Sequence, residues 1–160
     1  MNDCENVNNE SEDIDMATAK FKVNAKSENP TKTVVDVRGF KIIVDEPENL
    51  GGTNHGANPV EYVLAALSGC LNVVSHIVAK EMGFKLNGLE IDLEGDLDPA
   101  KFAGKKTTER AGYKQIRVVL RPDTDADSDT LDKWLEVVEQ RCPVNDNLAN
   151  QTPVLISVAK

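Results

Sequence analysis

From residue 18 the chain alternates, with Ala19, Phe21 and Val23 apolar against Lys20, Lys22 and Asn24. A period of two places these sets on opposite faces of a strand. After the turn signal Ser-Glu-Asn-Pro-Thr at 27–31, two more strand-like runs follow, 33–37 and 40–44, broken at Gly39. Residues 51–56, Gly-Gly-Thr-Asn-His-Gly, read as a flexible loop. The period then changes. Val63, Ala66, Leu67, Cys70, Val73, Val74 and Ile77 recur at three and four, the apolar face of a helix opening at Asn58-Pro59 and running to about Met82, before Gly83. Proline is tolerated in a first turn, where its missing N–H has no partner. Few polar residues interrupt the other sides, so this helix is expected to be central and well buried.

Alternation returns over 86–97 and again over 112–121, on either side of a charged, Gly-containing connection at 98–110. A second helix starts at Ser128 or Asp129, either a good N-cap. It carries Leu131, Trp134, Leu135 and Val138 as its stripe and stops at Pro143. Residues 154–158 read as a closing strand. The order β-β-β-α-β-β-α-β predicts an α+β domain with a mostly antiparallel sheet.

Charge and composition narrow the function. Residues 1–17 are acidic and polar, bury nothing, and are expected to be a disordered tail ahead of a single domain at 18–160. A net charge of -9 repels phosphate and argues against nucleic acid as a partner. No stretch approaches the ~20 apolar residues of a membrane span. The amino terminus lacks the basic start and apolar centre of a secretory signal, so a cytoplasmic location is the default. Three cysteines without a C-x-x-C fit reduced thiols. Neither His55 nor His76 has ligand spacing with a cysteine, so no metal and no cofactor is expected.

The cysteines sit in unlike settings. Cys4 lies in the tail, as an idle thiol. Cys70 lies deep in an aliphatic helix, where burial opposes the thiolate and a cation must come from elsewhere if it is to attack. Cys142 sits at a helix C-terminus, whose partial negative charge disfavours an anion, which makes it the weaker nucleophile and the better resolving thiol. Both thiols can equally be core filling, as free cysteines often are. Arg141 favours the helix C-terminus, and the two histidines read as structural.

The run Asn58-Pro-Val-Glu-Tyr-Val-Leu-Ala-Ala-Leu-Ser-Gly-Cys70, its Gly-rich lead-in and Cys142-Pro-Val resemble the OsmC/Ohr family, the osmotically induced and organic hydroperoxide resistance proteins. The likeness covers residues 19–159. It implies an OsmC-like fold of curved antiparallel sheets around two long central helices, in an interwoven homodimer. It also implies a thiol-dependent peroxidase acting in oxidative stress. In that scheme Cys70 is peroxidatic and Cys142 resolving, the substrate is an organic hydroperoxide, and an external dithiol reduces the Cys70–Cys142 disulfide.

Family hydroperoxidases carry a glutamate directly after the Asn-Pro, paired with an arginine of the first hairpin. Here Val60 stands in that place and the acid is Glu61. Nine helical residues put Glu61 about 13 Å from Cys70 and half a turn round, so capping the helix start competes with a catalytic role. For the cation, Lys26 and Lys32 lie in the first hairpin, and Arg38, with its planar fork, is the choice. The expected site is therefore Cys70, Cys142, Arg38 and Glu61. Two alternatives use the same chain: thiol chemistry on a persulfide or disulfide, and a non-catalytic dimer holding a hydrophobic ligand.

Overall fold

The computed structural model describes residues 18–159. The tail at 1–17, with Cys4, lies outside the described residues, as does Lys160. The first sheet is antiparallel, with β1 (Asn24–Ser27), β2 (Thr33–Val37) and β3 (Phe40–Val44) in that order. Asn29 closes the β1–β2 turn by accepting from the N–H groups of Thr31 and Lys32. Between β2 and β3, Arg38 and Gly39 both take positive φ, 51° and 90°, as a tight two-residue hairpin requires. The expected alternation at 19–23 does not make strand; β1 begins only at Asn24, and Phe21 is 90% exposed.

The second sheet is one long hairpin, β4 (Gly88–Asp96) and β5 (Gln115–Asp123). Leu89, Ile91 and Leu93 oppose Pro122, Leu120 and Val118 on the core side. The other face is a charge ladder in which Arg117 pairs with Glu94 and Asp96, and Arg121 with Asp92.

Helix α1 (Pro59–Met82) has a complete capping box. The Asn58 side chain accepts from the Glu61 N–H at 2.9 Å, and Glu61 accepts from the Asn58 N–H at 2.8 Å. Its buried residues are Leu67, Leu71, Val74, Ser75, Val78 and Ala79, packed on β4 and on α2 (Ser128–Arg141). This differs from the expected face. Ala66 is exposed, Val73 is 56% and Ile77 43% exposed, so one whole side of α1 is uncovered within the single chain. By length and composition α1, 24 residues long, could cross a membrane, contrary to the sequence expectation. In this fold its buried side forms the core instead.

Helix α2 is capped by Asp127, which accepts from the Thr130 N–H. Trp134 and Val138 are buried, and Trp134 Nε1 donates to the Ser75 carbonyl at 3.0 Å. Pro143 ends α2 as expected, but it also opens a third helix that the periodicity did not predict, α3 (Pro143–Ala149). Proline suits a first helical position as well as it breaks an interior one, and Cys142 is the single extended residue between the two helices. The closing strand expected at 154–158 does not form. Leu155 and Ile156 are 96% and 90% exposed, with no strand beside them among the described residues.

Candidate active site

Each thiol is placed by the helix that carries it. On α1, Val60, Val63, Leu67 and Cys70 follow at three and four, one stripe along the axis. On α2, Trp134 and Val138 recur at four, and the next step of that stripe is Cys142. Packing α2 on α1 through Trp134 and Val138 therefore delivers Cys142 to α1. The two sulfurs lie 3.0 Å apart across 72 residues of chain.

Their environments differ. Cys142 is fully buried and Cys70 half-buried. Burial pushes the Cys142 thiol up, the contact with Cys70 adds to this, and the Asn145 N–H, donated to Cys142 Sγ at 3.4 Å, opposes it. Cys142 thus stays protonated at neutral pH and can donate its S–H to Cys70 Sγ. It caps α3 at the same time.

The remaining expected site residues are not brought to the thiols within one chain. Glu61 is occupied in the capping box at the far end of α1. Arg38 sits on the β2–β3 turn with its guanidinium 5.7 Å from the Phe40 ring centre. Lys32 pairs with Glu28 at 2.8 Å, and Arg141 with Glu81. Among the described residues no cation bonds either sulfur. His76 Nδ1 bonds the Asn72 carbonyl of its own helix, a structural role as expected.

Two features were not anticipated. The first is the fully buried Asp45, whose carboxylate accepts from the Glu46, Thr53 and His55 N–H groups and the Thr53 hydroxyl. The Thr53 hydroxyl, foremost among these donors, holds Asp45 well below the usual carboxylate range. The Thr53 hydroxyl spends its one proton on Asp45, so His55 Nδ1, 2.8 Å away, must donate to it. The Gly-rich loop is therefore tied down rather than loose. Its Gly52 passes so close that a Cβ there would lie 1.8 Å from the Glu46 carbonyl oxygen.

The second is a trough of about 440 Å³ between α1, β5 and α3. The Val60–Leu67 stripe, Ile116, Val118 and Leu148 make its apolar walls, and residues 110–114, ahead of β5, line it as well. Tyr113 is fixed among them, donating its hydroxyl to the Val60 carbonyl at 2.9 Å. Burial, and then the nearby Glu61 charge, push its phenol up. The ring lies where a Cβ on Gly95 would stand, 2.6 Å from the nearest ring carbon. A glycine inside an alternating strand was the available signal, since it marks close approach of another group.

A model of the OsmC-like protein family matches residues 52–157. The chain belongs to the OsmC-like family. The match takes in α1, the β4–β5 hairpin, both thiols and α3. The fold is similar to solved OsmC-like structures. An OsmC-like protein from Mycoplasma pneumoniae superposes with a TM-score of 0.72 at 18% identity, over 82% of this chain and 88% of that one. An organic hydroperoxide resistance protein from Legionella pneumophila gives 0.59 at 18% identity, over 82% and 91%. The organic hydroperoxide resistance protein OhrB of Bacillus subtilis gives 0.57 at 20%, over 81% and 90%. At these identities the likeness is one of fold. No curated protein matches the sequence significantly.

Proposed function

We propose that this OsmC-like protein is a thiol-dependent peroxidase that reduces organic hydroperoxides. The observation that carries the reading is the 3.0 Å contact of Cys70 and Cys142, residues 72 apart that share no local reason to meet. The names of two structural neighbours, organic hydroperoxide resistance proteins, support the same chemistry. The Cys70 thiolate attacks the distal oxygen of the hydroperoxide, the O–O bond breaks, and the alkoxide leaves and takes up a proton as the alcohol. Cys70 becomes a sulfenic acid. The Cys142 sulfur, giving up its proton, attacks Cys70 Sγ and expels the hydroxyl as water, which leaves a disulfide. An external dithiol, in a reducing cytoplasm, restores both thiols by exchange.

The working unit is a homodimer. The uncovered side of α1 carries Ala66, Val73 and Ile77, and the segments at 19–23 and 151–159 expose Phe21, Leu155, Ile156 and Val158. Apolar surface of that extent calls for a partner, and a second copy supplies a matching helix and strands. In this assembly the hairpin bearing Arg38 is the element that brings a cation to a thiolate of the other chain, and Glu61 serves as the capping-box acid that anchors α1.

The apolar trough favours a second reading, a dimer that binds a hydrophobic ligand without turnover. One experiment separates the two. Reduced protein is treated with one equivalent of an alkyl hydroperoxide or of hydrogen peroxide and followed by intact and peptide mass spectrometry. The peroxidase reading expects a rapid Cys70–Cys142 disulfide, formed faster with the alkyl peroxide. Two thiols still reduced would sink it and leave ligand binding.

A further inference from the structure

The charge of the chain is unevenly placed. Residues 1–17 hold six carboxylates and no lysine or arginine, which accounts for -6 of the net -9 and leaves -3 on residues 18–160. Within that remainder the run Pro99-Ala-Lys-Phe-Ala-Gly-Lys-Lys-Thr-Thr108 holds three lysines, one phenylalanine and no acid. The carboxylates nearest it in the chain are already taken. Asp96 pairs with Arg117 at 2.6 Å, and Lys114 holds Glu109 at 2.8 Å and Asp98 at 3.8 Å. Among the described residues no carboxylate lies within ion-pair distance of Lys101, Lys105 or Lys106.

The run is a built turn. The Ala100 N–H donates to Asp98 Oδ1 and the Ala103 N–H to the Pro99 carbonyl, both at 2.9 Å. The Lys105 N–H then donates to the Ala100 carbonyl at 2.9 Å and the Gly104 N–H to the Lys101 carbonyl at 3.1 Å, the paired bonds of a Schellman closure, with Gly104 at φ 71°. This turn holds Phe102 81% exposed, with Lys101, Lys105 and Lys106 exposed around it. Exposed apolar side chains scattered singly are common and need no partner. An aromatic ring on a hydrogen-bonded turn, with lysines on both sides and no counter-ion on any of them, has the composition of an interfacial anchor. The ring gains by leaving water for the acyl boundary, and the ammonium groups stay with anionic headgroups.

We propose that the turn at 99–108 docks the protein on anionic lipid surfaces, with Phe102 inserted at the acyl boundary and Lys101, Lys105 and Lys106 on the headgroup phosphates. At physiological salt, charges more than about 8 Å from the surface are screened, so the turn that faces the lipid sets the attraction rather than the net -9. Single-stranded nucleic acid is the poorer fit, because one ring on one short turn offers neither a cationic groove nor successive stacking platforms. The docking surface is independent of the thiol chemistry, and so is its test.

The test is co-sedimentation of the full chain with vesicles of phosphatidylcholine alone, and of phosphatidylcholine and phosphatidylglycerol in equal parts, at low and at physiological salt. Wild type is compared with the triple variant Lys101→Gln, Lys105→Gln, Lys106→Gln, with Phe102→Ser, and with Lys133→Gln as a control on the exposed side of α2. Wild type and Lys133→Gln are expected to bind the mixed vesicles roughly tenfold or more tighter than the neutral ones, less so as salt rises. The triple variant should bring that ratio to about one, since each lysine at an anionic surface contributes roughly fivefold. Phe102→Ser should weaken binding to the mixed vesicles by roughly tenfold and keep the salt dependence. The substituted side chains are all exposed, so coincident thermal melts are expected and show that the fold is intact. In Phe102→Trp, lipids brominated along the acyl chain should quench emission beyond the background of the buried Trp134. Absence of wild-type binding to the mixed vesicles, or binding that the triple variant retains, overturns the inference. Binding that needs the lysines but is indifferent to Phe102→Ser, without quenching in Phe102→Trp, overturns it as well and assigns the turn to an acidic protein partner.

Discussion

Oxidising the thiol pair should stabilise the protein by an amount its geometry fixes. A Cys70–Cys142 bond closes a loop of 72 residues. Chain-entropy arithmetic for a loop of that length gives about 4 kcal/mol, from states removed in the unfolded chain. The sulfurs already stand 3.0 Å apart, so bonding distance, about 2 Å, is reached without repacking α1 against α2. For a chain of this size each kcal/mol moves the midpoint by about 2–4 °C, so Tm should rise by about 10 °C. The assay is thermal unfolding of protein oxidised with one equivalent of alkyl hydroperoxide, with and without dithiothreitol. Protein concentration is held equal, because self-association also shifts Tm. Cys142→Ser is the control: serine keeps an acceptor for the Asn145 N–H and is a good N-cap, so α3 should persist while the redox shift disappears. Oxidised and reduced wild type melting together, or a shift that survives in Cys142→Ser, would refute the pairing.

Three further expectations follow from single contacts. Asn58→Ala removes the capping box at the start of α1 and should cost about 1 kcal/mol in denaturant midpoint, with an unchanged m-value if only stability is affected. Gly95→Ala sets a methyl 2.6 Å from the Tyr113 ring and should destabilise by about 1–3 kcal/mol, and Tyr113→Phe, which loses only the bond to the Val60 carbonyl, should cost about 1 kcal/mol; a Gly95→Ala protein as stable as wild type would argue against the ring's position. Asp45 is held below its unfolded value, so its contribution is complete above about pH 4 and is lost as pH falls. Asp45→Asn should therefore melt lower at neutral pH and show a flatter loss of Tm on acidification, and parallel acid profiles for the two proteins would rule the carboxylate out.

What the sequence revealed and what it hid divide along a physical line. The period-two and period-three-to-four patterns located β2, β3, α1, β4, β5 and α2, because each of these elements has a partner inside its own chain, a paired strand for the β-elements and a shared core for the helices. The same patterns failed at 19–23 and 154–158. There the apolar residues are present but no strand lies beside them among the described residues, and a strand is defined by its neighbour rather than by its own residues. Pro143 misled in a second way, since a helix-breaking proline and a helix-opening proline are the same residue read from opposite sides. The face expected to be buried on α1 was shifted for a related reason. Apolar residues run nearly all the way round this helix, so hydrophobicity alone could not say which side meets α2.

The thiol pair and the trough belong to one chain, and among its described residues no cation bonds either sulfur. Cys70 and Cys142 meet because Trp134 and Val138 dock α2 on α1, an arrangement any folded copy builds for itself. The guanidinium of Arg38 is presented on a hairpin whose sheet shares no strand with the β4–β5 hairpin. Burial keeps Cys142 protonated, and a nucleophilic Cys70 needs a positive charge that no described residue brings into contact with it. An isolated chain would then hold two neighbouring thiols with no positive charge bonded to either. Assembly would supply the charge and cover Val73, Ile77 and the terminal segments in the same step. Reactivity towards peroxide should on that account rise with self-association: dilution below the dimer dissociation constant should slow disulfide formation even at constant peroxide. A rate independent of protein concentration across that range would mean that each chain activates its own thiol.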